Sequence, residues 1–446
     1  MPIQSVRGYS VAISSTKKGA LMGVSGQKAI NSSSTIPTRA WYGDEDMELV
    51  FPSGWDVTTL WPADAPGASQ ADIEAAFAHP IGTPAVAELA AGRKSAAIVV
   101  DDLSRPTPAA ELLPFVLQEL GVAGIPRDEI RIVIGGGSHR PLNRAEIAKK
   151  VGADVAADYE VTCHDCYSGD LRGFGNLPDG TPLYFNPVVA DAEFKVTVGG
   201  VYPHGAVGFG GGSKLILPGV AGFATMFHFH TFYASRGHGV IERSGGPPDH
   251  RDASEAAAKA LGLDIVVNAV INAHREIAGV FVGDFVQAHR AAARFAARTY
   301  GTVIPEDIRK EADVVVANVY PLDSDAIQTN KALWVKKYFD NAYTIAVNPA
   351  SDGIFYHGLF DRIDWRRFSA KLAHREPMAD PEPQVNGADQ MLVCSENFPI
   401  QEFRAKVQNG VLFRDWEELI GRLEGKVRPD AKVVVFPCAG IQILAD

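Results

Sequence analysis

Short apolar, β-branched runs alternate with helix-length amphipathic stretches along most of the chain. Residues 95–100, 130–134, 194–198 and 265–267 are nearly continuous hydrophobic segments, the pattern of strands buried on both faces. Between them, 109–120 and 143–151 carry helical spacing, and Asn143 followed by Glu146 is the signature of an N-terminal capping box. Residues 254–261 and 285–300 predict two further helices. Gly301 to Pro305 breaks the pattern, and a second strand–helix series follows, with strands at 312–317, 343–347, 391–394 and 433–436. Such alternation predicts βαβ units, and therefore an α/β protein of two α/β domains with mostly parallel sheets. A boundary near 290–305 gives an N-terminal extension over 1–40, one α/β domain over 41–290 and a second over 300–446. Residues 376–386 read as an exposed loop. Ligands of such sheets gather at the C-terminal ends of strands or between domains.

Bulk composition narrows the class. At 446 residues the chain is too long for one core. A hydrophobic content of 46% and a charged content of 21% are those of a soluble globular protein. The net charge of −11 argues against a nucleic-acid partner and offers no basic tract to a membrane surface. No apolar run reaches the roughly 18–20 residues of a membrane span. Four cysteines are too few for a disulfide framework and fit a reducing, cytoplasmic setting. The first 40 residues are rich in Ser and Gly, and no acid precedes Asp44. They lack both a signal-peptide core and a sustained amphipathic pattern, and read as a loosely ordered extension rather than a transit peptide.

Three polar loops follow predicted strands. Residues 101–108 (D-D-L-S-R-P-T-P) offer Asp102 for a ribose hydroxyl and Arg105 for a phosphate, which guanidinium groups grip bidentately; an Asp–Arg pair closing a turn is the plainer alternative. Residues 135–140 (G-G-G-S-H-R) offer His139 for proton transfer near neutral pH and Arg140 for a carboxylate. Residues 201–214 (V-Y-P-H-G-A-V-G-F-G-G-G-S-K) set His204 and Lys214 around a glycine run, where Gly211 and Gly212 let backbone approach a large flat or phosphorylated ligand. Lys214 is not a P-loop lysine, because the order is Ser-Lys and 215–219 cannot open a helix. It reads as a charge clamp or a covalent attachment point. His228 and His230 form an H-x-H pair that on a strand would share a face and, with His204, could bind zinc or nickel; a zinc hydrolase is the corresponding alternative. Cys163 and Cys166 make a lone C-x-x-C outside any thioredoxin-like context, and Cys394 and Cys438 read as buried fillers. In the second half, Gln328 and Lys331 stand three apart, able to share a helical face and grip a substrate carboxylate, or equally to form a solvated face.

Together these segments resemble the nickel-pincer-nucleotide lactate racemase family of 2-hydroxyacid racemases and epimerases. The likeness extends from about Leu49 to the C-terminus. It rests on 101–108, on 137–140, on 203–219 (with Val207 where Ala is usual), on His230 at its spacing of 26 from His204, and on 321–331 (P-L-D-S-D-A-I-Q-T-N-K). The resemblance implies two α/β domains with the cofactor in the cleft between them. That cofactor would be a pyridinium-3-thioamide-5-thiocarboxylate mononucleotide carrying nickel, attached at Lys214 and supplied by maturation enzymes. His230 would be the nickel ligand, and Asp102 and Arg105, with Gly211 and Gly212, would hold the nucleotide. His139 and His204 would be the acid/base pair. Arg140, Gln328 and Lys331 would face a small anionic 2-hydroxy acid. Hydride removal from C2 gives a planar 2-keto acid, and return to the other face inverts the centre. Two departures lie on the substrate side: Ile327 stands where members acting on lactate usually have Tyr, and the family's His-Asp-Gln-Trp loop is absent, Trp365 being the nearest candidate. These departures favour another substrate, or a cofactor-binding homologue without racemase activity.

Overall fold

The computed structural model describes residues 32–354, 383–407 and 409–445. Two six-stranded sheets organise them. From edge to edge the first contains Ile277–Gly283, Ile265–Ile271, Phe194–Gly200, Ala96–Val100, Ile130–Ile134 and Glu160–Cys163. Only its outermost pair, Ile277–Gly283 with Ile265–Ile271, is antiparallel. The second contains Gly410–Phe413, Met391–Cys394, Tyr343–Val347, Val314–Asn318, Lys432–Phe436 and Asp56–Thr59, all parallel. The chain is thus an α/β protein with mostly parallel sheets. The central strands Ala96–Val100 and Phe194–Gly200 are buried along their whole length, which is why they read as unbroken apolar runs. Helix Ala109–Val122 covers them with Leu112, Leu113, Val116 and Leu120. Helix Arg144–Val151 opens with the expected box: the Asn143 side chain accepts from the Ala145 and Glu146 amides, and Glu146 reaches back to the Asn143 amide.

In the first sheet the chain adds strands to one side of Ala96–Val100 and then returns to its other side at Phe194–Gly200. Loops leaving these two strands diverge and open a crevice, the usual ligand site of doubly wound sheets. The second sheet reverses likewise between Val314–Asn318 and Lys432–Phe436. Loops from the two reversals touch, since the Ser324 hydroxyl donates to the Leu103 carbonyl at 3.4 Å.

The division along the chain is displaced from the one read in the sequence. Strand Asp56–Thr59 is the edge of the second sheet, and Ile36, Leu49, Phe51 and Trp55 share that sheet's core. Asp323 fixes this segment by accepting from the Arg39 and Ala40 amides at 2.6 and 3.1 Å. Residues 33–59 therefore belong to the second unit, although they precede the first. The polar sequence D-V-T-T suffices for a half-buried edge strand, so hydrophobic patterning did not mark it. Residues 1–31 of the expected extension lie outside the described residues, and 33–38 at its end form a strand paired with Glu45–Val50 rather than loose chain. Trp365 and most of the 376–386 loop also lie outside. No helix among the described residues is long and apolar enough to cross a membrane.

Candidate active site

Val100 pairs with Ile134 on one side and with Val198, two residues before the strand end Gly200, on the other, so the loops that follow converge. They bound a cavity of about 360 Å³ lined by Asp102, Arg105, His139, His204, Gly211, Lys214 and His230, with Ile327 and Lys406 contributed by the second unit. The structure thus brings together both histidines read as acid/base groups, the lysine, the third histidine and the Asp–Arg pair.

Buried charges hold the loops from behind. Lys150, fully buried, pairs with Asp101 at 2.5 Å and donates to the Arg105 and Thr107 carbonyls. The other Asp101 oxygen accepts from Thr107 Oγ1 and the Gly200 amide, tying the first loop to the third. Arg251, also fully buried, donates to the carbonyls of Val207, Phe209 and Gly211 and to Ser213 Oγ, and His289 Nε2 donates to the Gly210 carbonyl. The glycine loop is therefore clasped through its carbonyl oxygens, and its amides are left to turn elsewhere. Gly211 has φ 73°, and a Cβ there would sit 2.8 Å from the Val201 side chain. Lys150, Arg251 and His289 carry no sequence signal because isolated buried polar groups leave no periodic pattern.

The two acid/base candidates have unlike partners. Asp102 sits 2.6 Å from His139 Nδ1, and its other oxygen accepts from the Ser104 amide and hydroxyl. Burial alone would raise this carboxyl, but His139, Arg105 and Ser104 together hold it well below the usual range, so it is ionised. An ionised carboxylate only accepts; His139 Nδ1 must donate, leaving the lone pair on Nε2. Asp102 is thus engaged with the histidine, in addition to any contact with a nucleotide. His204 is the reverse: its Nδ1 accepts from the amides of Ala206 and Val207 at 3.1 and 3.5 Å. Burial, followed by the cations Lys331, Lys214, Arg105 and Arg251, holds its imidazole well below the ordinary range.

Lys214 has no ion-pair partner among the described residues, and burial with Arg105 and Arg251 lowers its amine to about 7. His230 lies in helix Phe223–Phe232, and its Nδ1 donates to the Met226 carbonyl at 2.8 Å, which leaves the Nε2 lone pair for a metal. Because this element is a helix and not a strand, His228 and His230 do not share a face, and among the described residues no group of three metal-binding side chains forms. This removes the geometric basis of the zinc-hydrolase alternative. Gln328 and Lys331 fall in a single 3₁₀ turn, Ala326–Lys331. Neither lines the cavity, though Gln328 is buried with its Oε1 unpartnered among the described residues, and burial with Arg105 and Lys214 holds the Lys331 amine well down. Gly212 also stands back from the cavity wall. Arg140 turns away: Glu146 takes its guanidinium with contacts of 2.7 and 2.6 Å, and Asp352 adds a 3.4 Å contact. The capping-box carboxylate outcompeted the expected substrate carboxylate. Lys406, at the end of helix Ile400–Lys406, reaches the cavity with no sequence motif to announce it.

Residues 42–239 match the lactate racemase N-terminal domain family. The chain is 30% identical over 313 residues to the lactate racemase of Lactiplantibacillus plantarum, covering 67% of this chain and 71% of that protein. It is 32% identical over 270 residues to the lactate racemase of Thermoanaerobacterium thermosaccharolyticum, covering 58% and 61% respectively. Among solved structures, the lactate racemase apoprotein of T. thermosaccharolyticum matches with a TM-score of 0.69 at 23% identity, over 93% of this chain and 100% of that one. A Thermotoga maritima protein matches with a TM-score of 0.57 at 14% identity, over 81% and 96%. Both structural likenesses concern the fold.

Proposed function

From the premise that this chain belongs to the lactate racemase family and is an isomerase, we infer that it racemises or epimerises a small 2-hydroxy acid. The observation that carries this reading is the gathering of Arg105, His139, His204, Lys214 and His230 around one cavity.

These residues fit a nickel-pincer nucleotide. Lys214 offers a neutral amine for a thioamide link, His230 presents an Nε2 lone pair suited to nickel, and Arg105 supplies a guanidinium for a phosphate. Gly211, held at positive φ, lines the same cavity and would be one of the residues against which such a group packs. When bound, such a nucleotide supplies the hydride acceptor that the side chains lack. The protein's own part is to bind, orient and move a proton. His139 and His204 handle the proton of the substrate hydroxyl, with Asp102 fixing the first imidazole. The cations Arg105 and Lys406, which line the cavity, draw an anionic substrate into it. Ile327 gives that cavity an apolar wall where family members acting on lactate usually carry Tyr, which favours a 2-hydroxy acid other than lactate. Such a protein needs cofactor maturation enzymes as partners and fits a cytoplasmic setting.

The test is intact mass and metal analysis of protein co-produced with the maturation enzymes, followed by chiral chromatography of a 2-hydroxy acid panel. Expected are a mass excess of nucleotide size that vanishes in Lys214→Ala, about one nickel per chain, and inversion of at least one substrate. Unmodified, nickel-free protein under conditions that load a family member would overturn the reading. A loaded protein that inverts nothing in the panel would instead support a cofactor-binding homologue.

A further inference from the structure

The turn after strand Ser33–Thr38 has an unusual backbone, and it rests against the first unit's Arg105 loop. Arg39, Trp41 and Asp44 hold φ of 60°, 71° and 50°, in the left-handed region that side-chain-bearing residues seldom enter. Such a conformation persists only where the surroundings over-determine it. Here Asp323 accepts from the Arg39 and Ala40 amides, and Lys149 donates to the Trp41 carbonyl at 2.7 Å. Arg275 pairs with Asp44, and its guanidinium lies 4.4 Å from the centre of the Trp41 ring. What this turn presents is the Trp41 indole N–H, which donates to the Arg105 carbonyl at 3.1 Å. Lys150 reaches the same carbonyl at 3.2 Å from the first unit, and the Arg105 amide donates to the Asp102 carbonyl at 3.1 Å. Pro106 disfavours the helical region for the residue before it. The Arg105 guanidinium spends Nη1 on the Ser104 carbonyl and hydroxyl, both at 3.0 Å, and lines the cavity.

We propose that Trp41 is a positioning residue for Arg105: an indole from the second unit fixes the backbone from which the first unit's anion-gripping guanidinium projects. This rests on the phosphate role given to Arg105 above. An arginine that grips an anion loses conformational freedom, and anchoring its backbone beforehand removes part of that cost and tightens binding. Of the two donors on the Arg105 carbonyl, Trp41 is the one that comes from the other unit. By reciprocity, an anion bound at Arg105 strengthens the seat of the 39–44 turn by the same factor. The turn also reaches the second cavity loop, since the Tyr42 hydroxyl donates to Asp352, which contacts Arg140 at 3.4 Å beside His139. Two loops of the first unit therefore take their final form against one turn of the second, and the phosphate grip is complete only with both units in place.

The probe is inorganic phosphate, titrated calorimetrically into the unloaded full-length protein. Trp41→Phe keeps an aromatic ring for Arg275 to cover and removes the N–H donor. It should weaken phosphate binding by about 2- to 10-fold, the span of one net hydrogen bond, while Arg105→Leu should abolish it. Trp416→Phe is the control: it loses an equivalent indole bond, to the Val50 carbonyl at 3.0 Å, outside the cavity lining. It should leave phosphate binding unchanged even where it lowers stability. A purely structural Trp41 would behave in the same way as Trp416. Hydrogen exchange in the wild type gives a reading independent of any Trp41 variant: saturating phosphate should slow exchange in peptides covering 39–44, and should not do so in Arg105→Leu. Wild-type affinity in Trp41→Phe, an equal loss in Trp416→Phe, or exchange in 39–44 indifferent to bound phosphate would overturn the proposal. Phosphate binding that is absent from the wild type, or survives Arg105→Leu, would instead overturn the phosphate role of Arg105, and this inference with it.

Discussion

Lys214 offers the sharpest quantitative prediction. Burial, with Arg105 and Arg251 adding positive charge, brings its amine from an ordinary 10.5 to about 7. At pH 7 about half of Lys214 is then free amine, against about 0.03% of a lysine at the ordinary value, roughly a 1,500-fold difference in reactive form. The weaker base is also a weaker nucleophile. If nitrogen follows the slope of about 0.5 known for thiols, that offsets on the order of 50-fold. The net expectation is labelling on the order of 30-fold faster than an exposed lysine such as Lys94. Trace acylation of the unloaded protein across pH 5–10, read by peptide mass spectrometry, would follow it. The Lys214 curve should reach its midpoint near 7, and Arg105→Leu should move that midpoint upward by removing a neighbouring cation. Stability carries the same signature. Between about 7 and 10.5 the unfolded chain keeps the Lys214 proton that the folded chain has released, so this residue's contribution to stability rises with pH through that window, and Lys214→Met should remove the slope. A Lys214 labelling midpoint above 9 would refute the reasoning.

Other outcomes follow from the clasped loops. Arg251→Met strands several buried carbonyls, each costing about 1–3 kcal/mol, and should lower stability by about 3 kcal/mol or more in chemical denaturation. Lys150→Met leaves the Asp101 carboxylate buried and unpaired, a loss of about 3–5 kcal/mol, which adding Asp101→Asn should largely recover. Gly208→Ala places a Cβ 1.9 Å from the Val240 carbonyl oxygen and keeps a φ of 75°. It should destabilise by more than Gly262→Ala, which has φ 78° and open space, and whose cost of about 1–2 kcal/mol isolates the backbone term. Equal melting temperatures for the two variants would contradict the close approach at Gly208.

What the sequence disclosed depended on whether local chemistry and global packing agreed. The central strands were legible because burial on both faces forces continuous Val, Ile and Ala, and Tyr343–Val347 and Met391–Cys394 match their predicted bounds. Asn143 was legible because its capping box is purely local. The third, glycine-rich loop was legible because side-chain-bearing residues cannot take its conformation. Asp56–Thr59 was not, since an edge strand needs one apolar face at most. Arg140 misled because its neighbour His139 lines the cavity while its own guanidinium is drawn back by Glu146, an ion pair six residues away that competes with any ligand. Arg251 and Lys150 were missed because a buried cation is explained only by acceptors brought in from distant loops.

The displaced edge strand has a mechanical consequence. Because residues 33–59 belong to the second unit, the described chain passes between the units twice, near residues 60–64 and 299–302, and these crossings are laced together: the Ala63 and Asp64 amides donate to the Gly301 and Thr299 carbonyls. The last strand, Ile443–Leu444, pairs with Gly301–Thr302, and Gln442 bonds both the Leu60 carbonyl and Thr302 Oγ1. The two walls of the cavity are thus joined by a three-ply strap rather than a single cord. A single cord would let one wall swivel and slide over the other. A strap of this width resists both motions, which keeps Ile327 and Lys406 in register with Lys214 across the cavity.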